Sequence, residues 1–324
     1  MGGTKCAVVL GRAFEERTEA PEILGRHVVL TQSARHPDVM IKKLVEKARD
    51  LCRLIPETAA LRAAGISCGG PLDSRQGLIL SPPNLPGWDH VAIVQKIQAA
   101  LSVPAFLLND ADAGALAEWR FGAGRGCSNL IFITFGTGFG AGLILNNQLY
   151  SGPDDSAGEI GHIRISPIGP VGYGKAGSLE GFCSGGGIAQ LARMMVLEKI
   201  QMGLSVPFCE AAGGLCNLTA QVVGEAADRG DLLAQDILAR SGTYLGQGLA
   251  ILLDLLNPEK IIIGSIFARS HRWIWPAADV VLKQESLTRT YQRCQVVPAE
   301  LGEQIGDLAA LCVAMEMGKE VFPQ

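Results

Sequence analysis

The stretch "NLIFITFGTGFGAGLILNNQLYSG", residues 129–152, constrains the fold more than any other part of this chain. An apolar run opens onto Gly136, Gly138, Gly140 and Gly142, and so many glycines after a buried strand invite a dinucleotide-binding reading. That reading requires the turn to lead into a helix, whose N-terminus then meets a pyrophosphate. Here the following residues alternate, turn on Asn146-Asn147 and return, which is the pattern of a hairpin. Context therefore rules out a Rossmann turn, and a nicotinamide dehydrogenase with it.

A second Gly-Thr turn, "GGTK" at 2–5, also leads into a strand. Two such turns facing one another across a cleft can grip a triphosphate through backbone N–H groups and a Thr hydroxyl. The composition suits a two-lobed protein. The chain has 324 residues, 48% hydrophobic and 19% charged, enough for a core in each of two domains. Its 40 glycines cluster at 136–142, 169–187 and 213–214, as expected where backbone approaches a ligand. The net charge of -4, with no long basic run, argues against nucleic acid or an anionic membrane as partner. Nine cysteines are scattered without a C-x-x-C pair, as free thiols of a cytoplasmic protein would be. The longest apolar run, "GLAILLDLLNPEKIIIG", is interrupted by Asp254 and by Asn257-Pro258, so no membrane span is expected.

Periodicity predicts α/β structure. Strands are expected at 6–10, 27–31, 61–67, 104–108, 260–263 and 294–298, besides the three strands of the glycine segment. Helices are expected at 37–54, 89–101, from 109 onward, 187–201, 218–230, 274–285 and 304–318, with one or two more over 232–256. Asp73 to Gly77 should form a hairpin turn, and "SPPNLPGW" a loop stiffened by three prolines.

Six spaced motifs occur in order: "ISCGGPLD", "NDADAGALAEW", "ITFGTGFGAGLILNNQLYSG", "AGEIGH", "GSLEGFCSGGGI" and "NPEKIIIG". With the two Gly-Thr turns, they give a sequence that closely resembles the ROK family of sugar kinases and regulators from Gly2 to about Val321. The resemblance implies two actin-like ATPase domains with a cleft between them. The small domain would be 1–108, completed by a C-terminal helix at 303–324, and the large domain 109–302. It implies ATP-dependent phosphorylation of a hexose or N-acetylhexosamine with Mg²⁺, and a homo-oligomer, dimer or tetramer, built through the large domain.

Transfer to a sugar hydroxyl needs a carboxylate to accept the proton and donors around the phosphates. The resemblance assigns the base to Asp110 and the hold on the sugar to Asn109, Glu159, His162 and Glu180, with Gly70 and Asn84 on the small-domain wall. It places the phosphates against Gly3, Thr4, Lys5, Gly136, Thr137 and Gly138, and the adenosine against Gly264. Each assignment has a plainer reading beside it. Asn109-Asp110 could simply cap the following helix, Glu159 and Glu180 could be surface charges, and His162 a core histidine. Asp112, two residues beyond the base, should face elsewhere.

Three departures from the family pattern stand out. Most ROK proteins bind a structural zinc through one His and three Cys, but here the Cys positions hold Val171, Tyr173 and Ser178. None of these supplies a thiolate, so no structural zinc is expected, and packing of Val171 and Tyr173 with local hydrogen bonds should hold the loop. Ser265 and Ile266 stand where the family has further glycines on the adenosine side. The resemblance also implies a strand ahead of "GGTK" that ends in Asp-x and pairs with the 6–10 strand. The sequence carries the turn and the return arm only. An open sheet edge at 6–10, a weaker hold on the metal and poor turnover are therefore expected. The second reading is a non-catalytic sugar-binding regulator of the same family without a DNA-binding segment.

Overall fold

Two groups of strands, each backed by helices, divide the chain. The computed structural model describes residues 1–14, 19–33, 36–57 and 59–319. In the first group, β1 (Lys5–Arg12) pairs antiparallel with β2 (Glu22–Leu30), with a register shift at Leu10/Gly11. Helix α1 (Pro37–Cys52) starts on a proline, whose fixed φ suits the first helical position, and buries Met40, Ile41, Leu44, Val45 and Leu51. Strand β3 (Ala64–Cys68) leads to a hairpin of β4 (Leu72–Asp73) and β5 (Leu78–Ile79). Helix α2 (Ile93–Leu101) and β6 (Ala105–Asn109) follow, with β6 parallel to β3 and Cys68 opposite Asn109. The expected helix at 89–101 begins only at Ile93. Val91 instead exchanges two backbone hydrogen bonds with Ile79, at 3.0 Å each, and His90 has φ +51°. Cys6, Met40, Ile66, Ile79, Trp88 and Leu107 share the core of this lobe.

The second group begins with α3 (Asp110–Phe121) and the antiparallel meander β7 (Leu130–Phe135), β8 (Phe139–Leu145) and β9 (Gln148–Tyr150). A two-residue ladder of β10 (Val171–Gly172) and β11 (Lys175–Ala176) precedes the helices α4 (Leu179–Phe182), α5 (Gly185–Gln201), α6 (Pro207–Ala211), α7 (Ala220–Asp228) and α8 (Leu232–Leu256). Strand β12 (Lys260–Ile263), helices α9 (Ile266–Glu285) and α10 (Thr288–Arg293), strand β13 (Gln295–Pro298) and helix α11 (Ile305–Met317) complete the chain. The sheet order is β13-β12-β7-β8-β9, with β13, β12 and β7 parallel. The apolar 232–256 segment is one 25-residue helix, ended by Asn257 in the left-handed region. Helix α9 starts eight residues before the expected 274. It kinks at Ser270 (φ −112°, ψ 19°), so its apolar period is in phase only over the later part.

Helix α11 bridges the two groups. Leu308, Ala309, Cys312 and Val313 share a core with Leu116 of α3, Phe132 of β7 and Ile262 of β12. On its other side the Arg26 guanidinium from β2 donates to Asp307 at 2.6 Å. Residues 320–324 of the expected C-terminal helix lie outside the described residues. Among the described residues β1 and β3 have one strand neighbour each, β2 and β6. A cavity of about 340 Å³ lies along β1 and β3, walled by Leu44, Leu51, Ile93 and Ile97 and by Ala310, Leu311 and Ala314 of α11. No described helix is long and apolar enough to cross a membrane.

Candidate active site

The site forms where β6 runs into α3 and where β7 turns into β8. Asn109 caps α3, its Oδ1 accepting the Ala111 N–H at 2.8 Å. The amide Nδ2 is thereby turned towards Gly70, where an added Cβ would lie 3.0 Å from it. Capping thus occupies one end of this side chain and leaves the amide end on the cleft. Asp110 is the first residue of α3. It is accessible from the cleft, yet it sits on the cleft floor. There the surrounding protein withholds water and raises its carboxyl above the usual range, with the amino terminus and the backbone N–H groups of Ala111 and Asp110 pulling the other way.

The β7–β8 turn is closed by the Gly136 N–H donating to the Gly138 carbonyl at 3.1 Å. The Gly136 carbonyl accepts the Gly185 N–H at 2.8 Å, so the first residue of α5 holds the turn from behind. Glu180 lies against the same turn. Its Oε2 accepts the Phe139 N–H at 3.1 Å and would be 3.0 Å from a Cβ at Gly138, so a side chain there would have to push the carboxylate aside. The Glu180 Cβ in turn would be 3.4 Å from a Cβ at Gly161, beside His162. The His162 ring meets Tyr173 edge-on, with centroids 5.8 Å apart. Glu159 is exposed to the cleft. Burial against the pocket wall raises its carboxyl, the charges of Glu180 and Asp110 add to this, and His162 opposes it.

One cavity of about 760 Å³ is lined by Gly3, Gly70, Asn84, Asn109, Asp110, Gly136, Thr137, Gly138, Glu159, His162 and Glu180. Thr4, Lys5 and Gly264 are not among the residues it brings together. The Thr4 carbonyl accepts the Thr31 N–H, and Lys5 lines the smaller cavity beside β1. Gly264 is buried, its N–H bonded to the Ile133 carbonyl at 3.0 Å, and Ser265 lines the cleft in its place. The "GGTK" turn is crowded, since an added Cβ at Gly3 would stand 2.7 Å from the Asn84 carbonyl oxygen.

Asp112 does face away from Asp110. It is 2% exposed, accepts the Ser151 hydroxyl at 2.5 Å, and burial lifts its carboxyl to about 7. Asp155 and Ser156 line the cleft without having been singled out from sequence, and Tyr173, expected to pack the zinc-motif loop, lines it as well. The one signal for the first two was their place in a Gly-Pro-Asp-Asp-Ser loop, since loops on a rigid scaffold carry binding residues.

The loop in the zinc-motif region corrects one expectation. Val171 and Tyr173 are 47% and 63% exposed, so their packing does not hold it. Hydrogen bonds do. The fully buried Ser178 hydroxyl donates to the Gly172 carbonyl at 3.3 Å and accepts the Gly181 N–H at 3.2 Å. The Gln190 amide clamps both backbone groups of Val171, at 3.0 and 2.9 Å. Cys183 is buried and directed at the Ser241 carbonyl. Among the described residues no three His, Cys, Asp or Glu side chains are grouped to hold a metal.

Known proteins resemble this chain in sequence and in fold. The glucokinase of Halalkalibacterium halodurans is 37% identical over 223 residues, which cover 68% of this chain and 64% of that protein. A crystal structure of a ROK family transcriptional regulator, a homologue of the E. coli MLC protein, matches with a TM-score of 0.82 at 26% identity, over 98% of this chain and 77% of that one. The ROK family glucokinase from Streptomyces griseus, solved in complex with glucose and AMPPNP, matches with a TM-score of 0.75 at 28% identity, over 98% and 97%. The fold is therefore the actin-like ATPase fold of these sugar kinases. The ROK family profile matches residues 1–316, and with these relatives it establishes that the chain belongs to the ROK family.

Proposed function

We propose that the protein transfers the γ-phosphoryl group of ATP to a hydroxyl of a hexose or N-acetylhexosamine. One observation carries this reading: Asp110, its basicity raised by the cleft floor, shares a single cavity with the β7–β8 glycine turn and with Asn109, Glu159, His162 and Glu180. A carboxylate with a raised pKa is a better proton acceptor near neutral pH. Asp110 takes the proton of the attacking sugar hydroxyl as its oxygen bonds to the γ-phosphorus, and the bond to the ADP oxygen breaks. The Asn109 Nδ2, Glu159, His162 and Glu180 hold neighbouring hydroxyls. Thr137 and the backbone around Gly136 and Gly138 hold the phosphates. Mg²⁺ is commonly bound by one or two carboxylates together with substrate phosphates. The absence of a three-ligand cluster among the described residues fits an ion that arrives with the nucleotide and is held chiefly by its phosphates, leaving Asp110 to the proton. The ion would neutralise charge on the transferring group. The lobes would divide as 1–108 with 303–324, and 109–302, and their closure would exclude water as a competing acceptor.

Crowding at Gly3 by Asn84, and Ser265 in the cleft, favour a second reading: a sugar-binding regulator without turnover. A coupled ADP-release assay over a panel of hexoses and N-acetylhexosamines, run beside calorimetric sugar binding, separates the two. Sugar-dependent ADP release supports the kinase; binding without release supports the regulator.

A further inference from the structure

Two hydrogen bonds join the lobes at one carboxylate. The Ser74 N–H donates to Asp155 Oδ2 at 2.7 Å, and the Ser74 hydroxyl donates to Asp155 Oδ1 at 2.8 Å. Ser74 is in the β4–β5 hairpin, two residues after the Gly70 to Leu72 stretch that lines the cleft. Asp155 itself lines the cleft, on the loop that leads to Glu159. It holds a left-handed backbone (φ +55°), which a non-glycine residue adopts at some energetic cost and keeps when its contacts demand it. The loop is tied at its start as well. The Ser151 hydroxyl donates to Asp112, two residues along α3 from Asp110. At its end the Gly158 carbonyl accepts the Ala141 N–H at 2.9 Å. A nine-residue loop is thus fixed to the helix that carries the proposed base, to the strand behind the glycine turn, and through Asp155 to the opposite lobe.

We propose that Asp155 is a positioning residue: its paired bonds to Ser74 latch the lobes closed on the sugar side and set the distance between the small-lobe wall and Glu159. This rests on the sugar-kinase reading above. Charge-assisted bonds of this kind are about twice as strong as neutral ones, and both bonds break when the hairpin swings away. Without the latch the binding-competent closed form is less populated, and the apparent sugar affinity falls by the same factor.

The test combines steady-state kinetics with hydrogen exchange on the full chain. Asp155→Ala should raise the hexose KM about tenfold while kcat changes by less than about threefold, with the KM for ATP unchanged. Ser74→Ala, which keeps the N–H bond, should show a smaller rise, and the double variant should be no worse than Asp155→Ala alone, as expected for partners in one contact. Asp155→Asn should restore part of the loss through its carbonyl oxygen. The Ser74 amide should be protected from exchange in the wild type and exposed in Asp155→Ala. A merely structural residue would lower the amount of active enzyme and leave the hexose KM alone. A hexose KM within about twofold of wild type in both variants, or a freely exchanging Ser74 amide in the wild type, overturns the latch. If the wild type phosphorylates no sugar, the kinase reading fails; the amide protection and the calorimetric sugar affinities of the same variants still decide the latch. Should Asp155→Ala fail to fold, Ser74→Ala carries the same comparison.

Discussion

Asp112→Asn should make the protein more stable, and only where the pH is high enough to charge the aspartate. Asp112 is 2% exposed, and the Ser151 hydroxyl is the donor it accepts from. Burial is the main cause that lifts its carboxyl from 3.8 to about 7; the Ser151 bond opposes this, and the charges of Asp155, Asp110 and Glu159 add to it. In the unfolded chain the group ionises near 3.8, so between that value and 7 the folded state holds more protons. Stability from this group is therefore fully present below pH 3.8, falls as the pH rises, and is lost above 7. At about 1.4 kcal/mol per pH unit, the ionised form costs about 4 kcal/mol at pH 8 and about half a kcal/mol at pH 4. Asparagine keeps a carbonyl oxygen for Ser151 and never ionises. Any fixed cost of its NH₂ group is the same at both pH values and cancels in the difference. With about 2 °C of Tm per kcal/mol for a chain of this size, the variant should gain several degrees more at pH 8 than at pH 4. Calorimetric melting at the two pH values measures this. An equal gain at both, or a relative loss at pH 8, would show that the ionised carboxylate is stabilised where it sits and would refute the reasoning.

Asp110→Asn should lower turnover by about 10² to 10⁴ with sugar binding retained by calorimetry; more than half of wild-type activity would remove Asp110 from the role of base. Elemental analysis of the purified chain should find no stoichiometric zinc; one zinc per chain would direct attention to unforeseen ligands near His162. Ser178→Ala removes a fully buried hydroxyl that serves both Gly172 and Gly181. It should cost about 1 to 3 kcal/mol, and an unchanged chemical-denaturation midpoint would mean the loop is held elsewhere.

The glycine hairpin, the Asn109-Asp110 cap and the apolar strands were legible because each depends on a handful of neighbouring residues. Strand β12, "KIII", needs no partner to be recognised. What stayed hidden depends on residues far apart. Glu118 is fully buried and accepts the N–H groups of Ala123 at 2.8 Å and Leu301 at 3.0 Å, a role visible only once α3 and the 300s loop meet. The Ser74–Asp155 pair spans 81 residues and uses two of the commonest loop residue types. Thr4 and Lys5 were placed in the cleft by the motif they belong to, but the direction of a turn is set by what packs on it, here Asn84 and Thr31.

The cavity beside β1 and β3 should make stability uneven across the molecule. Along its length two strand edges gain no ladder bonds from one another, and the side chains of α1, α2 and α11 that wall it lack the close atomic contacts a filled core would give. The five-stranded side has no such defect in its ladder. Sub-global opening should therefore begin in the first lobe, well below the free energy of complete unfolding. That lobe carries Gly70, Asn84 and Ser74, so the half of the cleft proposed to move when a sugar enters is also the half that should yield most easily.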